Sequence, residues 1–488
     1  MRSRNRRWFL GAAASLAAAS GAAARAWHGS SAGEPHRAAL VPEAPQDLVE
    51  ETARRTCLYF WETIDPVHGL APDYTQGPDN RHSPAMSIAA TGFALSALPI
   101  GVARGWIARP QAVQRALASL QFLRDAPQGD AAIGTSGHHG FFYHFLHADS
   151  GTRFRDSELS TIDTALLMMG VRCIGQYFNQ PTQDEQHLRA LADEVSERVE
   201  WPWMQAHGKA ICMGWRPETG FLSADWIGFN EAIPMMLLAL GSGTHPVGPE
   251  AWAAWTSGYD RSFGEVEGIT QLSFGALFAH QFTQAWVDMR GIRDAYMAAR
   301  GFDYFENTRR VALAHKAYAI RNPMGWQGYG ADLWGLSASD GPGYGTLPYA
   351  GGPREFRGYS ARGVGLVENF DDGTICPAAS IGCLPHTPEA SLECMQAMYH
   401  RYGSALWGPY GFYDCFNPSY RYGDIPFASG HLVDGLGWVD DRYYGINQGP
   451  IVALLDNAHH GLLWSLSRAD PVLVRGLKRA GFHGGWLD

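Results

Sequence analysis

The feature that most constrains the fold is an alternation of helical segments with loops rich in glycine, aromatic and acidic residues. In the helical segments, apolar residues recur with a helical period or fill the segment almost completely. The predicted helices cover residues 47–64, 87–107, 110–125, 160–178, 184–205, 230–240, 274–289, 304–320, 387–403 and 449–466.

Helices of this kind bury their apolar faces when they pair and stack around a closed ring, which places the loops at one end. Runs with the period of two that is typical of strands are scarce, which disfavours a β-sandwich. We therefore expect an all-α fold. The predicted architecture is an (α/α)6 toroid, a barrel of helical hairpins with long aromatic and acidic loops at one end.

The first residues predict export. The pair Arg6-Arg7 precedes a short Ala-rich apolar stretch and the small-x-small pattern Ala24-Arg25-Ala26, as in a twin-arginine signal peptide. An N-terminal helix of the fold is the alternative. We expect a signal peptide over 1–26, a flexible linker over 27–45 and one catalytic domain over 46–488, in a periplasmic or secreted protein.

Charge and motifs exclude several classes of protein. Without the five arginines of residues 1–26 the chain has 33 basic and 48 acidic residues, a net charge of −15, which argues against nucleic acid and anionic lipid as partners. A phosphate-loop motif is missing from the sequence, as is any C-x-x-C pair. The seven cysteines are expected to be buried free thiols, although Cys376 and Cys383 could form a bridge. We expect a monomer.

The loop composition suits a carbohydrate ligand. The chain has 17 Trp and 20 Tyr residues, many of them in loops that also contain Asp, Glu, Asn and Gln. Aromatic rings can stack on the C–H faces of a sugar while the polar side chains bond its hydroxyls. An aromatic core alone could produce the same composition.

Glycosidic cleavage requires one carboxylic acid and one carboxylate, so acids within aromatic loops are the candidates. Glu231 in "GFLSADWIGFNEAI" follows Trp226 and Phe229. If Asn230 caps the helix, Glu231 lies in its first turn, where the alternative role is stabilisation of the helix dipole. Desolvation by the aromatic residues would have to raise its pKa for catalysis.

The other candidate acids have competing structural roles. Ser160 and Asp163 resemble a capping box, and Glu158 lies just outside it. Asp340 and Asp372 precede glycines, as in turns, whereas Asp414 lies among aromatic residues with no evident cap or turn role.

The segment "HHGFFYHFLH" contains His138, His139, His144 and His147 but lacks the acid spacing of a zincin site. Loop or core histidines with satisfied hydrogen bonds are the favoured interpretation, and no metal or other cofactor is predicted.

Several ordered motifs between about Thr56 and Trp464 resemble the glycoamylase-like domain group, which includes the bacterial endo-β-1,2-glucanases of glycoside hydrolase family 144. They include "ELSTIDTALL", "GWRPETGFLSADWIGFNEAI", "YGADLWGLSASDGP", "DDGTICPAASIGCLP", "LWGPYGFYDCFN" and "GINQGPIVALLDN". The resemblance implies an (α/α)6 barrel that acts on β-1,2-glucan without a metal.

By the same resemblance Glu231 is the proton donor, and Asp163 and Asp414 complete the catalytic set, with the base left open. The residues predicted to bind substrate are Glu158, Trp226, Trp286, Trp334, Asp340, Tyr344, Asp372 and Gln448. Phe229 and Cys415 stand where tyrosine and alanine are common in the family, which puts the detail of the sugar subsites in doubt.

We thus expect an endo-β-1,2-glucanase-like hydrolase that acts with inversion of the anomeric centre. A transglycosylase, an exo-acting enzyme that releases a disaccharide and a non-catalytic glucan-binding protein are the alternatives.

Overall fold

The computed structural model describes residues 45–76, 81–349, 351–367, 369–423 and 426–488. The predicted signal peptide and almost all of the predicted linker lie outside these residues. Fifteen α-helices, α1 to α15, are found in the described part of the chain. In order they are Pro45–Thr63, Ile88–Ala103, Arg109–Asp125, Thr161–Tyr177, Gln183–Glu197, Ile233–Gly241, Glu250–Thr256, Phe278–Trp286, Ala295–Ala298, Tyr304–Arg321, Pro377–Ile381, Pro388–Tyr402, Gly445–His459, Leu462–Ala469 and Pro471–Arg479.

The most apolar helices form an inner ring. Helix α2 packs on α4 and α13, α4 packs on α6, and α6 and α13 both contact α8. Helix α11 joins the ring through Gln281 of α8, whose Nε2 donates to the carbonyl of Ala379 at 2.7 Å. Almost all of α2 and all of α6 are buried, as expected for helices that are apolar on every side.

Longer amphipathic helices cover this ring on the outside. They include α1, α3, α5, α10 and α12, each of which has a polar face toward solvent. The pairing of an inner with an outer helix is the predicted α/α toroid, and the fold prediction is confirmed.

Two inner helices meet at glycines. A Cβ on Gly92 of α2 would lie 2.2 Å from the carbonyl oxygen of Leu166, and one on Gly170 of α4 would lie 2.1 Å from the carbonyl oxygen of Gly92. Since real Cβ atoms do not approach other atoms so closely, these glycines set the distance between the helices.

Most predicted helices are present with ends that differ by a few residues, with two clear exceptions. The predicted helix 184–205 already ends at Glu197, and a 3₁₀ turn follows at Trp201–Met204. The predicted helix 449–466 is two helices, α13 and α14, because Gly461 between them has a φ of 65°. Such a left-handed conformation interrupts the helix and suits glycine. The short helices α7, α9, α11 and α15 are not predicted by the apolar pattern.

The loops contain short antiparallel strands, β1 to β22. They are Ala71–Pro72, Tyr74–Gln76, Arg81–His82, Ala85–Ser87, Gly137–His138, Phe141–Phe142, Phe145–His147, Leu159–Ser160, Gly214–Arg216, Gly220–Phe221, Phe263–Val266, Ile269–Leu272, Ala338–Ser339, Gly345–Leu347, Arg354–Phe356, Ser360–Ala361, Trp407–Gly408, Gly411–Phe412, Cys415–Asn417, His431–Val433, Gly437–Asp440 and Arg442–Tyr444.

Several of these strands lead directly into inner helices: β4 into α2, β8 into α4 and β22 into α13. Strand pairing, such as Leu159 with Trp215 and Ser160 with Gly214, ties the loops to one another. The loop side chains are thereby held at the N-terminal ends of the inner helices.

All seven cysteines lie in the described residues and are buried free thiols, which confirms that prediction and leaves Cys376 and Cys383 unbridged. None of the described helices combines the length and the apolar composition that a membrane span would require.

Candidate active site

Glu231 lies in the turn that precedes α6. The helix begins at Ile233, so the prediction that Asn230 caps it and that Glu231 occupies its first turn is wrong. Asn230 is buried and fixes the turn instead, because its Oδ1 accepts from the backbone N–H of Ala232 at 3.0 Å and from the indole of Trp255 at 3.3 Å. The inflexible turn determines where the Glu231 carboxyl can point.

The Glu231 side chain is partly accessible to solvent, but its carboxyl group is poorly hydrated. The residue is partly exposed, yet its Oε2 is buried and has no hydrogen-bond partner among the described residues. Burial raises the pKa of Glu231 to about 7, and the negative charge of Asp163 adds to this shift. Near neutral pH a large fraction of this carboxyl is therefore protonated and able to donate a proton.

Asp163 occupies the first turn of α4, as the capping motif predicts. The Ser160 hydroxyl oxygen accepts from the backbone N–H of Asp163 at 3.2 Å, and the same hydroxyl donates to Oδ2 of Asp163. The Asp163 residue is 8% exposed. The helix-capping role and a position in the cleft are thus compatible.

Glu158 is held by two cationic side chains. Its Oε1 lies 3.1 Å from Nδ1 of His144, and its Oε2 accepts from Nη2 of Arg216 at 3.3 Å. Burial acts to raise the pKa of Glu158, but the hydrogen bond and charge of His144, together with Arg216, outweigh it and hold the pKa at about 2. Glu158 is consequently a carboxylate throughout the neutral range.

Asp414 precedes β19 and is almost completely buried. Its Oδ1 accepts from Nδ2 of Asn447 at 2.6 Å and its Oδ2 from the backbone N–H of Asp340 at 3.3 Å. Burial raises the pKa of Asp414 to about 6, the charge of Asp340 also raises it, and the Asn447 hydrogen bond opposes both effects. Asp414 is therefore ionised above about pH 6.

Asp340 lies beside Asp414 in an ionic cluster. Its Oδ2 accepts from the Tyr444 hydroxyl at 2.6 Å and from Nη1 of Arg442 at 3.2 Å. Both partners belong to β22, which leads into α13. The short strand thus orients the acid that the sequence predicted for substrate binding.

The structure adds two residues that the sequence did not indicate. Asp73, between β1 and β2, has a pKa raised to about 7 by burial and by the charges of Asp340 and Asp414. Burial raises the pKa of the Tyr359 hydroxyl, and the charges of Asp414, Asp340, Asp73 and Asp163 add to this shift. These four acids therefore lie near the Tyr359 side chain. Asp73 lies beside an aromatic residue in an extended segment, and this pattern could have identified it as a candidate acid.

Most of the remaining predicted residues are not gathered at the cleft mouth. Trp286, Trp334 and Asp372 are 2%, 1% and 0% exposed and lie inside the protein, so their contact with sugar stays a prediction. The Trp286 indole stacks on Phe93 with ring centroids 4.5 Å apart and donates to Oγ of Ser96 at 2.8 Å.

Asp372 forms a buried ion pair, since it accepts from Nε of Arg362 at 2.6 Å. Trp226 and Gln448 are also buried: the Trp226 indole donates to Oγ1 of Thr161, and Nε2 of Gln448 donates to the carbonyl of Phe412. Tyr344 is exposed and donates its hydroxyl hydrogen to the carbonyl of Tyr359, so it borders the cleft.

An α/α toroid with a protonated carboxyl and ionised carboxylates around one cleft provides the groups that glycoside hydrolysis requires. The chain belongs to the family described as putative glucoamylase, whose model matches residues 223–471.

Several relatives share most of the chain. An exo β-1,2-glucooligosaccharide sophorohydrolase (non-reducing end) from Parabacteroides distasonis is 27% identical over 471 residues, which cover 90% of this chain and 58% of that protein. This chain thus spans little more than half the length of that curated relative.

Two solved structures cover nearly the whole fold. A putative glucoamylase from Bacteroides uniformis has a TM-score of 0.78 and 28% identity, over 92% of this chain and 100% of that chain. An endo-β-1,2-glucanase from Chitinophaga pinensis, in complex with sophorotriose and glucose, has a TM-score of 0.77 and 27% identity, over 91% of this chain and 100% of that chain.

Proposed function

We propose that this protein is a glycoside hydrolase that cleaves β-1,2-linked glucan, with Glu231 as the proton donor. The proposal rests on the state of the Glu231 carboxyl. One of its oxygens is buried without a hydrogen-bond partner among the described residues, and its pKa is about 7 beside other acids of the cleft. The names of the sophorohydrolase and endo-β-1,2-glucanase relatives support β-1,2-glucan as the substrate.

In the proposed reaction, protonated Glu231 donates its proton to the glycosidic oxygen as the bond from that oxygen to the anomeric carbon breaks. A water molecule attacks the anomeric carbon from the opposite face and loses a proton to a carboxylate base. The products are two shorter sugars, one with a new reducing end. One proton leaves Glu231 and one arrives at the base, so the enzyme is restored by proton exchange with solvent.

We assign the base to Asp414. An inverting enzyme separates its two carboxyl groups by about 6.5–9.5 Å, so that a water molecule fits between the base and the sugar. Asp163 lies close enough to Glu231 to raise its pKa, and it is held by Ser160 and faced by His144. Asp414 is oriented by Asn447 and is ionised above about pH 6, as a general base must be at neutral pH.

For the mode of action we propose internal cleavage of the glucan chain, as in the endo-β-1,2-glucanase relative. Release of sophorose from a chain end is the second candidate, because the relative from Parabacteroides distasonis has that activity by its name. Transfer of the sugar to another sugar instead of water is a further outcome that product analysis resolves.

The experiment is to incubate the mature protein with linear glucans of defined linkage and to follow the products by chromatography over time. We expect reducing ends from β-1,2-glucan and a ladder of early oligosaccharides. Sophorose as the sole early product would favour the exo mode. Affinity for β-1,2-glucan without any turnover would contradict a hydrolase, and cleavage of another linkage alone would contradict the substrate.

We also propose that the protein is exported by the twin-arginine pathway and acts in the periplasm or outside the cell. The support for this is the Arg6-Arg7 pair and the Ala-rich stretch that follows it.

A further inference from the structure

The main chain of His144 is hydrogen-bonded to Glu158, which directly precedes β8. His144 lies between β6 and β7, and its backbone N–H donates to the carbonyl of Glu158 at 2.9 Å. Its imidazole stacks on the ring of Phe145 at a centroid distance of 4.1 Å and an interplanar angle of 12°. The main chain and the stacked ring together leave the imidazole little freedom to turn.

Each ring nitrogen of His144 faces a different buried carboxyl group. Nδ1 lies 3.1 Å from Oε1 of Glu158, and Nε2 lies 3.5 Å from Oδ1 of Asp163. Glu158 and Asp163 are each 8% exposed. A neutral imidazole has one N–H and could donate to one of these carboxylates, whereas an imidazolium donates to both.

The charges around the imidazole also favour its protonated form. Glu158 and Asp163 face it directly, Asp73 approaches from the loop between β1 and β2, and the nearby cation Arg216 is bonded to the far oxygen of Glu158. Burial acts to lower the pKa of His144, but these acids outweigh it and raise the pKa to about 9. Two carboxylates buried without a cation would be costly, so the imidazolium stabilises them.

We propose that His144 is a positioning residue which carries a positive charge and fixes the ionised carboxylates of Glu158 and Asp163 at the wall of the cleft. The ionised Asp163 in turn supports the protonated state of Glu231. This inference rests on the proposed function for its catalytic consequence, but the charge of His144 can be tested without any substrate.

The direct test is a titration of the wild-type protein labelled with ¹⁵N in its histidines, followed by NMR, with the His144 signals assigned by their loss in His144→Gln. We expect the His144 ring to remain protonated at pH 7.5. The buried His280 and His315 provide internal controls, because burial lowers their pKa to about 3 and about 4 and they should be neutral at pH 6. A neutral His144 at pH 7 would overturn the inference and leave the proposed function untouched.

If the protein is a hydrolase, its pH profile gives a second readout. The charge of His144 keeps Asp163 ionised, and the ionised Asp163 helps to raise the pKa of Glu231, which sets the alkaline limb of kcat/KM. His144→Gln should therefore move the alkaline limb to lower pH by up to about one unit and lower kcat at least tenfold, while the acid limb set by Asp414 stays in place. His144→Arg, which keeps the charge, should bring the alkaline limb back toward its wild-type position.

The neighbouring exposed His147 supplies the matched control, since His147→Gln should leave both kcat and the limb unchanged. An equal loss of kcat in His144→Gln and His144→Arg with an unmoved alkaline limb would mean that His144 fills space and does not act through its charge.

Discussion

The carboxylate of Asp163 lies close enough to the carboxyl of Glu231 to help keep it protonated, although the two residues are 68 positions apart in the sequence. Each stands at the N-terminal end of an inner helix, Asp163 within α4 and Glu231 immediately before α6, and these helices pack against each other. The toroid thereby brings together two acids that are distant in the sequence, so that the charge of one affects the pKa of the other.

The pKa values of the proposed acid and base predict a narrow pH optimum. Glu231 has a pKa of about 7 and must be protonated, so activity should fall as the pH rises above 7. Asp414 has a pKa of about 6 and must be ionised, so activity should fall as the pH drops below 6. We expect a bell-shaped profile of kcat/KM with its maximum between about pH 6 and pH 7. A plateau that extends from pH 4 to pH 9 would contradict both assignments.

Glu231 should also reduce stability at alkaline pH. Its folded pKa of about 7 is above the ordinary value of 4.5, so the folded state binds more protons and stability falls as the pH rises from about 4.5 to 7. Glu231→Gln removes this cost, and we expect it to raise the free energy of unfolding by about 1–3 kcal/mol at pH 8 and by much less at pH 4.5. Urea unfolding at the two pH values measures the difference. An equal effect at both would mean that the carboxyl is not strained by burial.

The interior ion pair of Asp372 and Arg362 should matter for folding and not for sugar binding. Both side chains are 0% exposed and two hydrogen bonds join them, at 2.6 and 2.8 Å. Asp372→Asn leaves a buried guanidinium without its counter-charge, and we expect it to lower the free energy of unfolding by about 3–5 kcal/mol. KM of the folded fraction should be unchanged. A raised KM with unaltered stability would instead indicate that Asp372 contacts the substrate, as the sequence predicts.

The outcome for Asp372 illustrates what the sequence could and could not predict. Local patterns or the family resemblance identify the helices, the cap at Ser160 and the acids Glu231, Asp163 and Asp414. Caps, apolar periodicity and motifs can be predicted because they depend on residues that are close in the sequence. Whether an aromatic or acidic loop residue turns toward the cleft or into the core depends on tertiary packing. For this reason Trp286 and Trp334 were placed at the sugar although they lie inside the protein.

For His144 the sequence failed in the opposite way, because it did not indicate that this residue contacts acids of the cleft. In its segment no acid lies at the spacing of a metal site, and this pattern favours a loop or core histidine with satisfied hydrogen bonds. The partner acids Glu158 and Asp163 lie 14 and 19 positions further on in the sequence. They come into contact with His144 through short extended segments whose pairing cannot be predicted from the periodicity of apolar residues.

The proposed export by the twin-arginine pathway should depend on the two arginines near the start of the chain. Replacement of Arg6 and Arg7 by lysine should leave the precursor in the cytoplasm, whereas the unchanged chain should reach the periplasm or medium as a shorter product that begins near Trp27. Cell fractionation and N-terminal sequencing in a bacterial host measure this. An unaltered distribution of the Lys-Lys variant would contradict the proposed route.

The central claim is that Glu231 protonates the leaving sugar, and the most direct measurement is the release of reducing ends from linear β-1,2-glucan by Glu231→Gln. Glutamine keeps the shape of the side chain but cannot donate the proton, so we expect kcat to fall by about 10²–10⁴-fold while thermal unfolding remains cooperative. The exposed Glu389 supplies the control, since Glu389→Gln should be as active as the wild type. Wild-type activity in Glu231→Gln would contradict the account.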